Sequence, residues 1–217
     1  MVMIRPLAIA VTNCGDLAVL LPLAAVLGLA LWRFESRSAA WAWTQALAVC
    51  LVATLLLKLG FLTCGRSWGV NIVSPSGHAS MGTVVYGGFA VVMATHAARW
   101  RLLLIVTTAV WIGAIAVSRT VLGFHSSMEV GIGLAVGLIA LAVFAWKYRR
   151  LAHPKMNLPA IGMGALCVLT VLYGTRLPAE SLLYRFAHRV RIETHICHAT
   201  SVRVHSIAAR SEMFPSK

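Results

Sequence analysis

Acidic residues are scarce in this sequence. Asp and Glu together account for six of its 217 residues, and charged residues of both signs make up only 12%. A soluble globular domain carries about 25% charged residues, so this composition excludes an ordinary soluble domain. The five cysteines form no CxxC pair and show no paired zinc-ligand spacing, which argues against the common structural zinc modules.

The sequence is rich in long apolar runs, and 59% of its residues are hydrophobic. A bilayer core about 30 Å thick is crossed by about 20 apolar residues in a helix. Six runs approach that length: approximately Leu7–Leu31, Trp41–Leu59, His78–Ala97, Leu102–Ser118, Met128–Trp146 and Leu158–Gly174. They do not alternate with a period of two, so helices are favoured over barrel strands. The sequence predicts an all-α integral membrane bundle of about six transmembrane helices within residues 1–176, the first run being one retained span.

Basic residues are concentrated in the odd-numbered loops. The first, third and fifth loops hold Arg33, Arg37, Arg99, Arg101, Lys147, Arg149, Arg150 and Lys155. The positive-inside rule places these loops in the cytoplasm and the second and fourth loops outside. Basic residues after the last span, among them Arg185 and Arg189, favour the opposite orientation. We expect a bacterial inner-membrane protein with its active site on the outer, periplasmic face.

The C-terminal tail, residues 177–217, is polar and basic. Within it Leu182, Leu183, Phe186 and Val190 form one apolar stripe, as in an interfacial amphipathic helix. Together with the formal net charge of +13, this pattern predicts contact with anionic lipid head groups. Nucleic acid is not needed to explain the charge.

The second and fourth loops share one side of the membrane, because an even number of spans separates them. Cations, histidines and a carboxylate gather in these loops and at their edges: Lys58, Arg66, Ser76, Gly77, His78, Ser118, Arg119, His125 and Glu129. Ionisable groups at membrane depth are costly, so such a set indicates a site.

The residue types in this set suit a phosphate group. Lysine and arginine neutralise a dianion, and Ser76 before a helix N-terminus adds hydroxyl and N–H donors, although a serine there is more often only a helix cap. Two histidines suggest that one attacks phosphorus while the other protonates the leaving group. Glu129 follows His125 by four residues, so a helix starting there would bring the carboxylate to the imidazole and fix its tautomer.

Three stretches together resemble the signature of the type 2 phosphatidic acid phosphatase superfamily: Lys58 with Arg66, "PSGH" at 75–78, and "SRTVLGFHSSME" at 118–129. The resemblance implies phosphate binding by Lys58, Arg66, Ser76, Gly77 and Arg119. It also implies that His125 is the nucleophile, His78 the general acid and Glu129 the group that orients His125.

Two positions depart from the family pattern. Seven residues separate Lys58 from Arg66 where the family has six, and Ser67 stands where the family has proline. Glu129 stands where the family has aspartate. A one-residue insertion rotates a straight helix by about 100°, so Arg66 is the position that the first departure affects most.

The expected activity is a metal-independent phosphatase without a cofactor. It would remove phosphate from a membrane lipid phosphate or a polyprenyl diphosphate through a phosphohistidine intermediate. Phosphatidic acid, phosphatidylglycerol phosphate and a lipid A phosphate are further candidate substrates. Two alternatives stay open: a lipid phosphotransferase, and a non-catalytic protein that binds or transports anionic lipid.

Three further ionisable residues lie outside this set. Asp16, in the first span, is left out of the catalytic set: we expect a structural role with Asn13 or Thr12, with contact to the pocket or capping of a broken helix near Gly15 as the alternatives. We expect His96 and His153, beside the basic loops, to be solvated.

Overall fold

The computed structural model describes residues 4–64, 72, 74–154 and 156–177. All regular secondary structure in these residues is helical, which confirms the all-α prediction. Seven α-helices occur there: α1 (Ile4–Asn13), α2 (Leu17–Ala30), α3 (Arg37–Cys64), α4 (Gly77–His96), α5 (Arg101–Val121), α6 (Ser127–Tyr148) and α7 (Leu158–Leu172). A π-helical turn, Leu31–Glu35, extends α2, and a 3-10 turn, Ala98–Trp100, precedes α5.

Four helical segments among the described residues are long and apolar enough to cross a membrane. They are Leu17–Glu35, Arg37–Cys64, Ala98–Val121 and Ser127–Tyr148. Their outer faces are apolar, as with Leu102 and Val110 of α5, which are 76% and 67% exposed. Large exposed apolar faces of this kind suit lipid contact, so the chain is a membrane protein. The predicted number of six spans stays a prediction, since α4 is not among these four segments and α7 has only 15 residues.

The first predicted span is not one helix, which corrects the sequence-based expectation. The chain leaves the helix after Asn13 and starts again at Leu17, with Asp16 as the N-cap of α2. Asp16 Oδ1 accepts a hydrogen bond from the amide of Ala18 at 2.9 Å. A carboxylate competes in this way for free backbone N–H groups and begins a new helix. The hydroxyl of Tyr86 donates to the carbonyl of Cys14 at 2.7 Å, which ties the break to α4.

Helices α4 and α6 run side by side in the same direction. At their starts, the amide of Ser76 donates to the carbonyl of Glu129 at 3.1 Å. At their ends, the hydroxyl of Tyr148 lies 3.3 Å from His96 Nε2. Helix α4 has 20 residues and α6 has 22, so both are about 30 Å long. The starts of α4 and α6, which carry the predicted "PSGH" and Glu129 residues, therefore lie at the same end of the pair.

Gly133 allows the close approach of α4 and α6. A Cβ atom on Gly133 would lie 2.5 Å from the carbonyl oxygen of Ser76, which no side chain tolerates. Helices in lipid pack by such close backbone contact, because hydrophobicity no longer drives their association. The glycine therefore fixes where the two helix starts meet.

The described residues fall into two compact units. The larger comprises the described residues within 4–56 and 75–177. The end of α3, from Leu57 onward, belongs to the other unit, together with Ile72 and Ser74. The predicted amphipathic helix of the tail lies outside the described residues, and so does Arg66.

Candidate active site

His125 and Glu129 are held together by the start of α6. Ser126 is the N-cap of this helix, and its Oγ accepts from the amide of Glu129 at 3.3 Å. Glu129 Oε2 accepts in return from the amide of Ser126 at 2.9 Å, which completes a capping box. The same Oε2 lies 3.2 Å from Nδ1 of His125. The predicted contact is therefore present, although His125 precedes the helix and does not share a helical face with Glu129.

This pair is shielded from solvent. The side chains of His125 and Glu129 are 5% and 7% exposed. With Nδ1 protonated, His125 donates to Glu129, and the lone pair of the ring then resides on Nε2. The arrangement fixes both the tautomer and the orientation of the imidazole, as a carboxylate does in a catalytic triad.

The turn between α5 and α6 brings His125 back beside the end of α5. Gly123 has φ of +72°, in the left-handed region that glycine adopts without strain, as is common just after a helix. The amides of Phe124 and His125 both donate to the carbonyl of Arg119, at 3.1 and 3.3 Å. These two bonds hold the backbone of Phe124 and His125 against the last turn of α5, at Arg119.

Arg119 is buried at the end of α5, with 5% of its surface exposed. Its Nη1 donates to Thr12 Oγ1 at 3.2 Å, and its guanidinium carbon lies 4.5 Å from the centre of the Phe124 ring. A cation over an aromatic face is stabilised by the ring quadrupole. Thr12 on α1 is thus a site neighbour that sequence reasoning did not assign.

The start of α4 carries the "PSGH" residues. Ser76 is fully buried and is the N-cap of α4, with its Oγ 3.4 Å from the amide of Ala79. Ser76 therefore has the helix-capping role that the sequence offered as the alternative to phosphate binding. Gly77 is the first residue of the helix, so its N–H is one of the first-turn groups that an α-helix does not bond internally. Because the Ser76 amide bonds to Glu129, the two predicted motifs meet directly.

Asp16 faces His78 across the break between α1 and α2. Oδ2 of Asp16 lies 3.9 Å from Nε2 of His78, which is an ion-pair distance when the imidazole is protonated. Oδ1 accepts from the amides of Ala18 and Leu177, at 2.9 and 3.2 Å. Helix capping by Asp16 is therefore confirmed, and its carboxylate also lies beside His78, one of the predicted site residues. The side chains of Thr12 and Asn13 bond to Arg119 and Arg176, so the expected structural role with these residues is limited to the hydrogen bond from the Asp16 amide to the Asn13 carbonyl at 3.3 Å.

Lys58 is buried near the end of α3, with 7% of its surface exposed, and belongs to the second unit. Arg66 lies outside the described residues. The larger unit thus brings together six of the eight predicted site residues, in the following set: Ser76, Gly77, His78, Arg119, His125 and Glu129. We call these residues, with Asp16, the His125 site.

The opposite ends of α4 and α6 carry a second assembly, which we call the Glu35 cluster: Glu35, His96, Tyr148 and His153. His96 Nε2 and the hydroxyl of Tyr148 lie 2.6 and 2.5 Å from Glu35 Oε1. His153 Nδ1 lies 3.7 Å from the same oxygen. The prediction that His96 and His153 are solvated was wrong, because their side chains are only 9% and 21% exposed.

Comparison with curated proteins finds a relative. The chain is 28% identical over 187 residues to "Uncharacterized 22.5 kDa protein in cps region" of Klebsiella pneumoniae, a match that covers 81% of this chain and 88% of that protein. No family model matches the chain. No solved structure matches it. The likeness to type 2 phosphatidic acid phosphatases therefore stays a prediction from the motifs.

Proposed function

We propose that the protein is a membrane phosphatase that removes phosphate from a lipid phosphate or a polyprenyl diphosphate, without a metal ion in the reaction. The observation that carries this proposal is the buried pair of His125 and Glu129, packed through the Ser76–Glu129 hydrogen bond against the start of α4. A histidine with a fixed tautomer beside a buried arginine suits nucleophilic attack on a phosphate.

In the proposed first step, Nε2 of His125 attacks phosphorus and the bond from phosphorus to the leaving oxygen breaks. Glu129 accepts the hydrogen bond from Nδ1 at 3.2 Å and stabilises the positive charge that forms on the ring. Water then attacks the phosphohistidine, which releases inorganic phosphate and restores the imidazole.

His78 is the proposed general acid for the leaving oxygen. The Asp16 carboxylate lies 3.9 Å from Nε2 of His78. Its negative charge stabilises the protonated imidazole by Coulomb attraction. In the second step the neutral imidazole takes a proton from the attacking water. Asp16 acts through His78 and is therefore a positioning residue.

Arg119 is the proposed anchor for the phosphate oxygens. Its contacts with Thr12 and Phe124 hold the guanidinium in one place, so less conformational entropy is lost when a phosphate binds. Lys58 and Arg66 are kept in the proposal as further cationic groups on the strength of the motif. The first-turn N–H of Gly77 would add a donor at a helix N-terminus, where anions are favoured.

The test measures phosphate release by the detergent-purified protein. The panel contains phosphatidic acid, phosphatidylglycerol phosphate and polyprenyl diphosphate, with EDTA present, and compares wild type with His125→Ala. We expect release from at least one lipid and a loss of at least about 10³-fold in the variant, as for removal of a catalytic nucleophile. His205→Ala, in the tail, is the matched control and should retain activity.

Two other results would replace this function. A phosphorylated acceptor with little free phosphate would identify a phosphotransferase. Stoichiometric binding of lipid phosphate without turnover, unaffected by His125→Ala, would identify a binding or transport protein. Release that persists in His125→Ala would contradict the phosphohistidine mechanism.

A further inference from the structure

We propose that the Glu35 cluster is a binding site for one divalent transition-metal ion, with Zn²⁺ as the ion that suits it best. The ligand atoms are Glu35 Oε1, His96 Nε2 and His153 Nδ1, which all lie within 4.8 Å of one another. This site is separate from the proposed phosphatase reaction, because it lies at the other ends of α4 and α6.

The donor types select the class of metal. Two imidazole nitrogens and one carboxylate oxygen suit Zn²⁺ and related first-row ions, whereas Mg²⁺ and Ca²⁺ prefer sites made of oxygen alone. Three protein ligands leave a fourth tetrahedral position for water or an anion. A cavity of about 530 Å³, lined by Glu35 and His153 with Ser36, Ser38 and Pro154, lies beside the cluster.

The spacing of the ligand atoms needs little adjustment. Zn²⁺ binds nitrogen and oxygen at about 2.0–2.2 Å, so tetrahedral ligand atoms lie about 3.3 Å apart. Glu35 Oε1 is 2.6 Å from His96 Nε2 and 3.7 Å from His153 Nδ1. A shift of less than about 1 Å in each pair therefore reaches metal geometry. His96 must then carry its proton on Nδ1, because a metal ligand nitrogen is unprotonated.

Two buried polar atoms of the Glu35 cluster favour the binding of a cation. In the part of the chain that the structure describes, Glu35 Oε2 and His153 Nδ1 are buried without a hydrogen-bond partner. Burying polar atoms unpaired is costly, and a cation bound to His153 Nδ1 and to the Glu35 carboxylate would reduce that cost. The side chain of Glu35 is 0% exposed, so its second oxygen is not satisfied by bulk water.

Tyr148 holds the carboxylate of Glu35 in place. Its hydroxyl donates to Glu35 Oε1, and its ring packs 4.4 Å from the ring of His153. Groups that hold metal ligands in this way usually change metal affinity when they are altered. The three ligands come from the end of α2, the end of α4 and the segment after α6, so a bound ion would join three elements.

The experiment titrates Zn²⁺ into the full chain in detergent, prepared without a polyhistidine tag and dialysed against EDTA. Competition with a chromophoric chelator gives affinity and stoichiometry. We expect one Zn²⁺ per chain, with affinity at least about 100-fold weaker in His153→Ala and in Glu35→Gln. Tyr148→Phe should weaken binding about 10- to 100-fold, as for a group that supports a ligand.

His125→Ala is the matched control, since His125 also pairs with a buried glutamate but at the other end of α4 and α6. It should bind one Zn²⁺ with wild-type affinity. Co²⁺ added to the wild-type chain should give the intense visible absorption of a four-coordinate site, a readout that needs no variant. Zn²⁺ should also raise the melting temperature by several degrees. An absence of tight Zn²⁺ binding, or binding that survives both His153→Ala and Glu35→Gln, would overturn the site.

Discussion

The two ends of the α4–α6 pair carry similar groups that are assembled in different ways. At one end Glu129 is held by its own helix cap and contacts His125, four positions away. At the other end Glu35 contacts His96 and Tyr148, which are 61 and 113 positions away. The comparison shows that a carboxylate–histidine contact arises either from a local turn or from helix packing. Only the local contact leaves a recognisable pattern in the sequence.

The largest expected effect on this comparison comes from Glu129→Gln. The amide keeps the size of the side chain, but it removes the charge that stabilises the His125 imidazolium. We expect phosphate release to fall about 10²- to 10⁴-fold, as for neutralisation of a triad carboxylate. Zn²⁺ affinity, measured on the same preparation, should not change. Activity above about a tenth of wild type would show that Glu129 serves only the helix cap.

Asp16→Asn should have a smaller effect. Asparagine caps a helix as well as aspartate does, so α2 should keep its start while the charge facing His78 is lost. We expect turnover to fall about tenfold with little change in KM, since the group acts on proton transfer and not on lipid binding. The melting temperature serves as the control. A fall in turnover matched by a large loss of stability would point to a structural role instead.

Gly133→Ala tests the contact that joins the two motifs. An added Cβ would lie 2.5 Å from the Ser76 carbonyl oxygen, so α4 and α6 must separate at their starts. We expect a loss of about 1–3 kcal/mol in stability, together with reduced phosphate release.

Gly131→Ala is the matched control for that variant. A Cβ at Gly131 has nothing within 4 Å, so this change should be neutral or stabilising by up to about 1 kcal/mol. Equal melting temperatures for Gly131→Ala and Gly133→Ala would contradict the proposed close approach.

Most of the helical framework could be predicted from the sequence. Five of the six apolar runs correspond to single helices, because a run of apolar residues must satisfy its backbone internally in lipid. The break at residues 14–16 was harder to predict, since Asp16 can cap a helix or lie within one. A contact from another helix stabilises the break: the hydroxyl of Tyr86 on α4 donates to the carbonyl of Cys14.

The sequence by itself determined that this is an all-helical membrane protein, that five of its six apolar runs form single helices, and that His125 and Glu129 pair. These features follow from composition, apolar length and contacts between residues that are near in the chain. Tertiary structure alone decided that Asp16 faces His78, that Thr12 bonds to Arg119, and that His96 and His153 meet Glu35. Each of these contacts joins residues more than 50 positions apart, and only the packing of helices brings such residues together.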